Sequence, residues 1–194
     1  YIPVAAGMAG GSSDAAAVLY GLNRMYGLGL SQEQLMERGV KIGADVPYCI
    51  MRGTALAEGI GERLTSLPPM PPCNILVAKP GISVSTKYVY ENLHANDLRP
   101  EQHPDIDGIL DALKKQDLRG MAEALRDGNV LETVTASAYP VIGKLKETME
   151  ENGAAVALMS GSGPTVFGIY EDRMQARRAM AAIRKSRLAK QLFL

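Results

Sequence analysis

Twelve residues near the start of the chain, Pro3-Val4-Ala5-Ala6-Gly7-Met8-Ala9-Gly10-Gly11-Ser12-Ser13-Asp14, constrain the fold more than any other stretch. Glycine enters left-handed backbone without steric cost and lets another backbone or a ligand come close. Ser12, Ser13 and Asp14 are good helix caps, and Ala15-Ala16-Ala17-Val18-Leu19 behind them favours helix. The stretch reads as an extended run, a glycine-rich loop and a helix N-terminus. The first amides of a helix have no partner within it, and the macrodipole there favours negative charge. Such a place suits phosphate. A tight turn closed by a good cap is the alternative open to the same residues. A Walker loop is excluded, because no lysine lies between Gly7 and Ser13. A dinucleotide fingerprint is excluded too, because Gly7, Ala9 and Ser12 stand where it needs three glycines.

The 194 residues suffice for one large domain or two small ones, and 46% of them are hydrophobic, enough for a real core. The 21 basic residues balance 21 acidic ones, so no nucleic-acid partner bound through bulk positive charge is expected. Cys49 and Cys73 are too few for a disulfide framework or a Cys-rich metal site. Both sit in apolar surroundings and read as buried thiols of a cytoplasmic protein. No signal-like segment or membrane-length apolar run is present. The chain opens at Tyr1 directly on an extended run, and the expectation is that an N-terminal portion lies outside this sequence.

Helical spacing of Leu19, Leu22 and Tyr26 predicts a helix over 15–26, stopped by Gly27. Ser31 and Gln34 have capping-box spacing and start a second helix to about Gly39. Gly43-Ala44-Asp45-Val46-Pro47 reads as a turn and Tyr48-Cys49-Ile50-Met51 as a strand. Residues 54–58 and 62–67 read as strands around Gly59-Ile60-Gly61. Pro68-Pro69-Met70-Pro71-Pro72 is the clearest break and divides the chain into lobes. Beyond it come a buried strand at 74–78, a helix over 86–93 capped by Ser85 and an irregular polar stretch at 95–104. Helices follow at 106–115, 118–125 and 141–152, the last with Pro140 in its first turn. Strands at 156–159 and 166–170 flank Ser160-Gly161-Ser162-Gly163-Pro164-Thr165. Asp172 caps a helix to about Ser186, and 192–194 closes the chain as a short strand.

Four places can carry chemistry. The first is the Gly7–Ser13 loop. The second is Asp45, either a carboxylate aimed into a cleft or an Asx-turn residue bonding its own backbone. The third is the loop over 160–165, a flexible hairpin or a place of close ligand approach. The fourth is 83–90, where Tyr88 and Tyr90 pack, or one of them stacks on a planar ligand. His94 and His103 lack metal-ligand spacing and read as surface residues. Glu150-Glu151 and Glu171-Asp172 read as solvated helix ends.

Pro3 to Ser13 resembles the phosphate-binding motif of the GHMP kinases, which include galactokinase, homoserine kinase, mevalonate kinase and phosphomevalonate kinase. Met8-Ala9 stands where that family often has Leu-Gly. Gly43-Ala44-Asp45-Val46-Pro47-Tyr48-Cys49 resembles its catalytic-aspartate segment. The run from Leu158 to Phe167 resembles its third motif, and Lys79-Pro80 with Val84-Ser85-Thr86 resembles its substrate-lobe entry. Within the family the likeness is to the branch acting on a cytidine diphosphate-linked methylerythritol.

The resemblance implies an α+β fold of two lobes. Residues 1–70 would be the later part of a ribosomal S5-like, ATP-binding lobe, and 71–194 a ferredoxin-like substrate lobe. It implies ATP and Mg2+ as cofactors, and phosphoryl transfer to a hydroxyl of the methylerythritol part, in non-mevalonate isoprenoid precursor synthesis. Pro3, Val4, Ala5, Ala6, Gly7, Met8, Ala9, Gly10, Gly11, Ser12 and Ser13 would wrap the ATP phosphates. Asp45 would take the hydroxyl proton. Gly161, Ser162 and Gly163 would line the site near the transferring phosphate, Thr86 would lie near the nucleotide part of the substrate, and Tyr90 would stack on its cytosine. The active site would bring Ser13, Asp45 and Gly163 together between the lobes. No residue is assigned to metal. A small-molecule substrate, no nucleic acid, no membrane and an open possibility of a homodimer complete the expectation. The family's first-strand lysine, which pairs with the catalytic aspartate, has no counterpart in context at Lys41, Lys79 or Lys87. The polypeptide is therefore expected to be an incomplete kinase with little or no activity. A homoserine or mevalonate kinase-like enzyme, a non-catalytic ATP-binding sensor, and a plain structural or interaction domain, which would leave the glycine loops unexplained, are the competing expectations.

Overall fold

The structure, a computed structural model, describes residues 6–95, 98 and 103–194. Their contacts divide into two units: residues 9–69 form one, and residues 70–194 together with 6–8 form the other.

The first unit is helical with one hairpin. It holds α1 (Gly10–Met25), α2 (Gln32–Gly39), α3 (Val46–Met51), β1 (Ala55–Glu58) and β2 (Arg63–Ser66). The Ser31 hydroxyl accepts from the Gln34 amide and the Gln34 side chain accepts from the Ser31 amide, closing the capping box. A small core of Ala16, Leu35, Val46 and Ile50 joins the three helices. β1 and β2 pair antiparallel with Glu58 opposite Arg63.

Two expectations are corrected here. Residues 48–51 are not a strand: Val46–Met51 is helical, with Pro47 in its first turn. Proline suits that place because its missing amide would have no helical partner anyway. The buried Val46, Pro47 and Ile50 fall on one helical face, and Gly39 lets them close in. A Cβ there would lie 2.9 Å from Val46 Cγ1 and 3.0 Å from Ile50 Cδ1. The first helix also begins earlier than expected, at Gly10, with Ala9 as its N-cap in left-handed backbone at φ 49°. Ser12, Ser13 and Asp14 thus lie inside the helix and cap nothing. Glycine costs about 1 kcal/mol against alanine within a helix, which is why propensity placed the start at Ala15.

The second unit is built on β3 (Asn74–Lys79), β4 (Val156–Met159), β5 (Val166–Tyr170) and β6 (Gln191–Phe193). They form an antiparallel sheet in the order β4-β5-β3-β6. The helices α4 (Thr86–Asn92), α5 (Ile106–Lys115), α6 (Leu118–Ala124), α7 (Glu132–Ala138) and α8 (Val141–Glu151) lie between β3 and β4. α9 (Arg173–Ser186) lies between β5 and β6. Strand, helical segment, two strands, helix, strand, in this order, is a ferredoxin-like arrangement. Period-two alternation puts Leu76, Ala78, Ala157, Met159, Val166 and Tyr170 on one face of the sheet, and all are buried. Ile142, Leu145 and Met149 of α8 and Ala176, Ala179 and Ile183 of α9, at helical spacing, complete this core.

The caps at Ser85 and Asp172 form as expected. Pro140 is the N-cap of α8 and so precedes its first turn. The helix α7 was not foreseen. Cys49 and Cys73 are free thiols, as expected, but only half-buried. Glu171 is not simply solvated: it accepts from Arg119 Nε at 2.7 Å and Nη2 at 3.2 Å, and the guanidinium holds its carboxyl below the usual range. His94 and His103 are exposed. Most of the polar stretch 95–104 lies outside the described residues, where the irregular segment was expected.

Candidate functional site

The glycine-rich stretch serves both units. Pro3, Val4 and Ala5 lie outside the described residues. Ala6 is buried, and Gly7 takes φ 70°. The Gly7 carbonyl accepts a hydrogen bond from Ser160 Oγ at 2.7 Å. A Cβ on Gly7 would overlap the Ser160 carbonyl and come within 2.8 Å of the Gly163 carbonyl. Only glycine fits that conformation and that approach. The two glycine loops, 153 residues apart at this hydrogen bond, are therefore in direct backbone contact within the second unit.

From Ala9 onward the stretch opens α1. The amides of Gly10, Gly11 and Ser12 have no acceptor within the helix. No side chain caps them, and the first turn carries no acidic residue. A helix of 16 residues thus presents uncapped donors at its positive end.

Asp45 is the N-cap of α3, exposed, and its carboxylate makes no capping bond. The Asx-turn alternative is thus not what the fold uses. The hairpin turn approaches it closely: a Cβ on Gly61 would lie 3.8 Å from Asp45 Oδ1. One turn along α3, Cys49 Sγ lies 3.6 Å from Ser13 Oγ, so Ser13 faces the helix that Asp45 begins.

In the second unit the loop over 160–165 is tightly made. The Ser160 amide donates to the Thr165 carbonyl at 2.8 Å and the Gly163 amide to the Ser160 carbonyl at 2.9 Å. Gly161 and Gly163 have φ 55° and 85°, and the Gly163–Pro164 peptide is cis. The hydroxyls of Ser162 and Thr86 are hydrogen-bonded at 2.9 Å. Tyr90 lies one turn further along α4 on the same side as Thr86 and is 62% exposed, so its ring is free to stack. Gly7, Thr86, Ser160, Ser162 and Gly163 are brought together.

Side chains not singled out in the sequence hold this loop. Asn129 Nδ2 donates to the carbonyls of Met159 and Gly161, at 2.9 and 2.8 Å. Thr135 Oγ1 donates to the Ser162 carbonyl at 3.2 Å. Glu132 Oε2 accepts from the Met159 amide at 3.0 Å, while its Oε1 pairs with Lys146. Asp127-Gly128-Asn129 carries a turn signal, but no local pattern marks the reach of Asn129 across 30 residues to Met159. Among the described residues no group of three or more His, Cys, Asp or Glu side chains could hold a metal ion.

An α+β chain with a ferredoxin-like sheet, paired glycine loops and a helix of uncapped amides fits the class of phosphate-handling enzymes. The chain belongs to the GHMP kinase family: the profile of the GHMP kinases N terminal domain matches residues 1–53, and that of the GHMP kinases C terminal matches residues 91–189. It is 56% identical over 193 residues to the 4-diphosphocytidyl-2-C-methyl-D-erythritol kinase of Lachnospira eligens, covering all of this chain and 66% of that protein. The crystal structure of a 4-(cytidine 5'-diphospho)-2C-methyl-D-erythritol kinase superposes with a TM-score of 0.78 at 34% identity, over 99% of this chain and 66% of that one. A homoserine kinase from Cytophaga hutchinsonii shares the fold, with a TM-score of 0.82 at 18% identity, over 99% of this chain and 66% of that one. The chain thus spans just under two thirds of the length of these relatives. Among the described residues no helix is long and apolar enough to cross a membrane.

Proposed function

We propose that the protein of which this chain is part transfers the γ-phosphoryl group of ATP to a hydroxyl of 4-diphosphocytidyl-2-C-methyl-D-erythritol, a step in isoprenoid precursor synthesis. The observation that carries this is the 56% identity along the whole chain to a kinase of that name. Homoserine and mevalonate kinases are more distant at 18% and 16%, and speak for the fold alone.

The residues suit the roles. Phosphoryl transfer depends mainly on positioning and on stabilising charge. The amides at the start of α1, with the backbone from Ala6 to Ser13, take the ATP phosphates without a Walker lysine. Pro3, Val4 and Ala5 are assigned to the same role. Mg2+ keeps water and phosphate oxygens as ligands and needs only one or two carboxylates, so it is assigned to the ATP phosphates, whose charge it offsets. Asp45, exposed and uncapped, accepts the hydroxyl proton. Gly161, Ser162 and Gly163 line the path of the transferring phosphate. Thr86 and Tyr90 take the nucleotide part of the substrate, with the Tyr90 ring on the cytosine. Residues 1–70 then act as the ATP-binding lobe and 71–194 as the substrate lobe. The free cysteines fit the cytoplasm, and a homodimer is the assembly to test by light scattering.

The test is phosphate transfer from ATP to 4-diphosphocytidyl-2-C-methyl-D-erythritol, by this chain and by one extended to the relatives' full length. Transfer by the extended chain, with little by the shorter one, is expected. No transfer by either, with ATP still raising the melting temperature, would move the assignment to another GHMP substrate or to a sensor.

A further inference from the structure

β4 is an edge strand of its sheet. The Ser160 amide bonds to Thr165 across the hairpin, so by alternation the N–H and C=O of Met159 face away from β5. Met159 is buried, and an unpaired buried backbone group is costly. Both groups are met by side chains in place of a further strand. Glu132 accepts from the Met159 N–H, and Asn129 donates to the Met159 C=O. Asn129 donates again to Gly161, and its own carbonyl accepts from the Leu131 amide at 3.1 Å, which sets the amide's orientation. Glu132 is held in turn by Lys146; their side chains are only 14% and 17% exposed. Thr135 takes the next carbonyl, that of Ser162.

We propose that Asn129 and Glu132 are positioning residues for the glycine loop. Gly161 and Gly163 have no side chains to anchor them, and both sit in left-handed backbone. The bracket supplies the missing anchorage and fixes where the Gly161–Gly163 backbone meets the transferring phosphate. Neither residue touches substrate. The inference rests on the assignment of Gly161–Gly163 to the phosphate path.

Two variants test it. Asn129→Asp keeps the shape but turns carboxylate oxygens toward two carbonyls. Glu132→Gln keeps an acceptor for the Met159 amide while removing the charge paired with Lys146. Amide hydrogen exchange is read on this chain, and kcat and KM on the full-length form. Asn129→Asp is expected to speed exchange at Ser160 and Gly163 by about tenfold or more, while α9 keeps its protection. It is expected to lower kcat with little change in the KM for substrate, whereas Glu132→Gln, which keeps the acceptor, retains most of the parent's loop protection and kcat. Unchanged exchange at Ser160 and Gly163, or faster exchange with kcat intact, would overturn the proposal. A parent enzyme with no transfer at all would instead remove the functional assignment, and the exchange experiment would still read the bracket.

Discussion

At residue scale, Asp45 and Gly7 carry the most weight. Asp45 begins a helix without capping it, so its carboxylate stays available for other work. In a chain extended to the relatives' full length, Asp45→Asn is expected to lower turnover by about 10²–10⁴-fold if Asp45 is the proposed general base. Steady-state transfer assays check this, and unchanged turnover would remove Asp45 from the role. Gly7 is constrained by both its φ and its neighbours. Gly7→Ala puts a Cβ into the Ser160 carbonyl, and left-handed backbone alone costs such a residue about 1–2 kcal/mol. A loss of at least about 2 kcal/mol in urea unfolding is expected.

At the scale of elements, α8 holds the sheet through a single stripe. Met149 is fully buried in the core it shares with Leu76 and Tyr170. Its Sδ would lie 3.0 Å from a Cβ on Gly168, so the strand is trimmed to admit it. Met149→Ala is expected to cost about 2–5 kcal/mol of unfolding free energy. The tie between α6 and the end of β5 is electrostatic. Arg119 depresses the Glu171 carboxyl, so its contribution is present above the ordinary carboxylate range. It fades as pH falls through that range to the lowered value. Both side chains are well exposed, so the effect is small and screened by salt. Comparing urea midpoints of the parent and Arg119→Gln should show a gap at neutral pH that closes in acid. A gap that widens in acid would contradict the assignment.

At the scale of the whole molecule, phosphate contacts are assigned to both units, which gives a global test. ATP binding only the native state should raise the melting temperature, by an amount equivalent to about 2.7 kcal/mol at a hundredfold excess over Kd. No shift at saturating ATP would argue against nucleotide binding by this chain.

Much of this was legible from local chemistry. The caps at Ser31, Ser85 and Asp172 and the short apolar runs of β3 and β5 all act within a few residues. So did the glycine loops, whose composition is itself the signal. The failures share one cause. Val46–Met51 has strand-like residues but folds as a helix, because Gly39 lets α2 press against Val46 and Ile50. Glu132–Ala138, rich in Thr, Val and Ser, has weak helix propensity, yet it forms α7 with Thr135 buried beneath it. Ala9 rather than a serine precedes α1, which leaves the amides uncapped. The sequence by itself determined most of the elements and the family, because each depends on side-chain type and short spacing. Only the tertiary structure decided that Gly7 lies on the loop of Ser160, and that Asn129 and Glu132 complete the edge of β4. Those contacts span about 30 to 150 residues, and their partners are backbone atoms, which every residue carries and no local pattern marks.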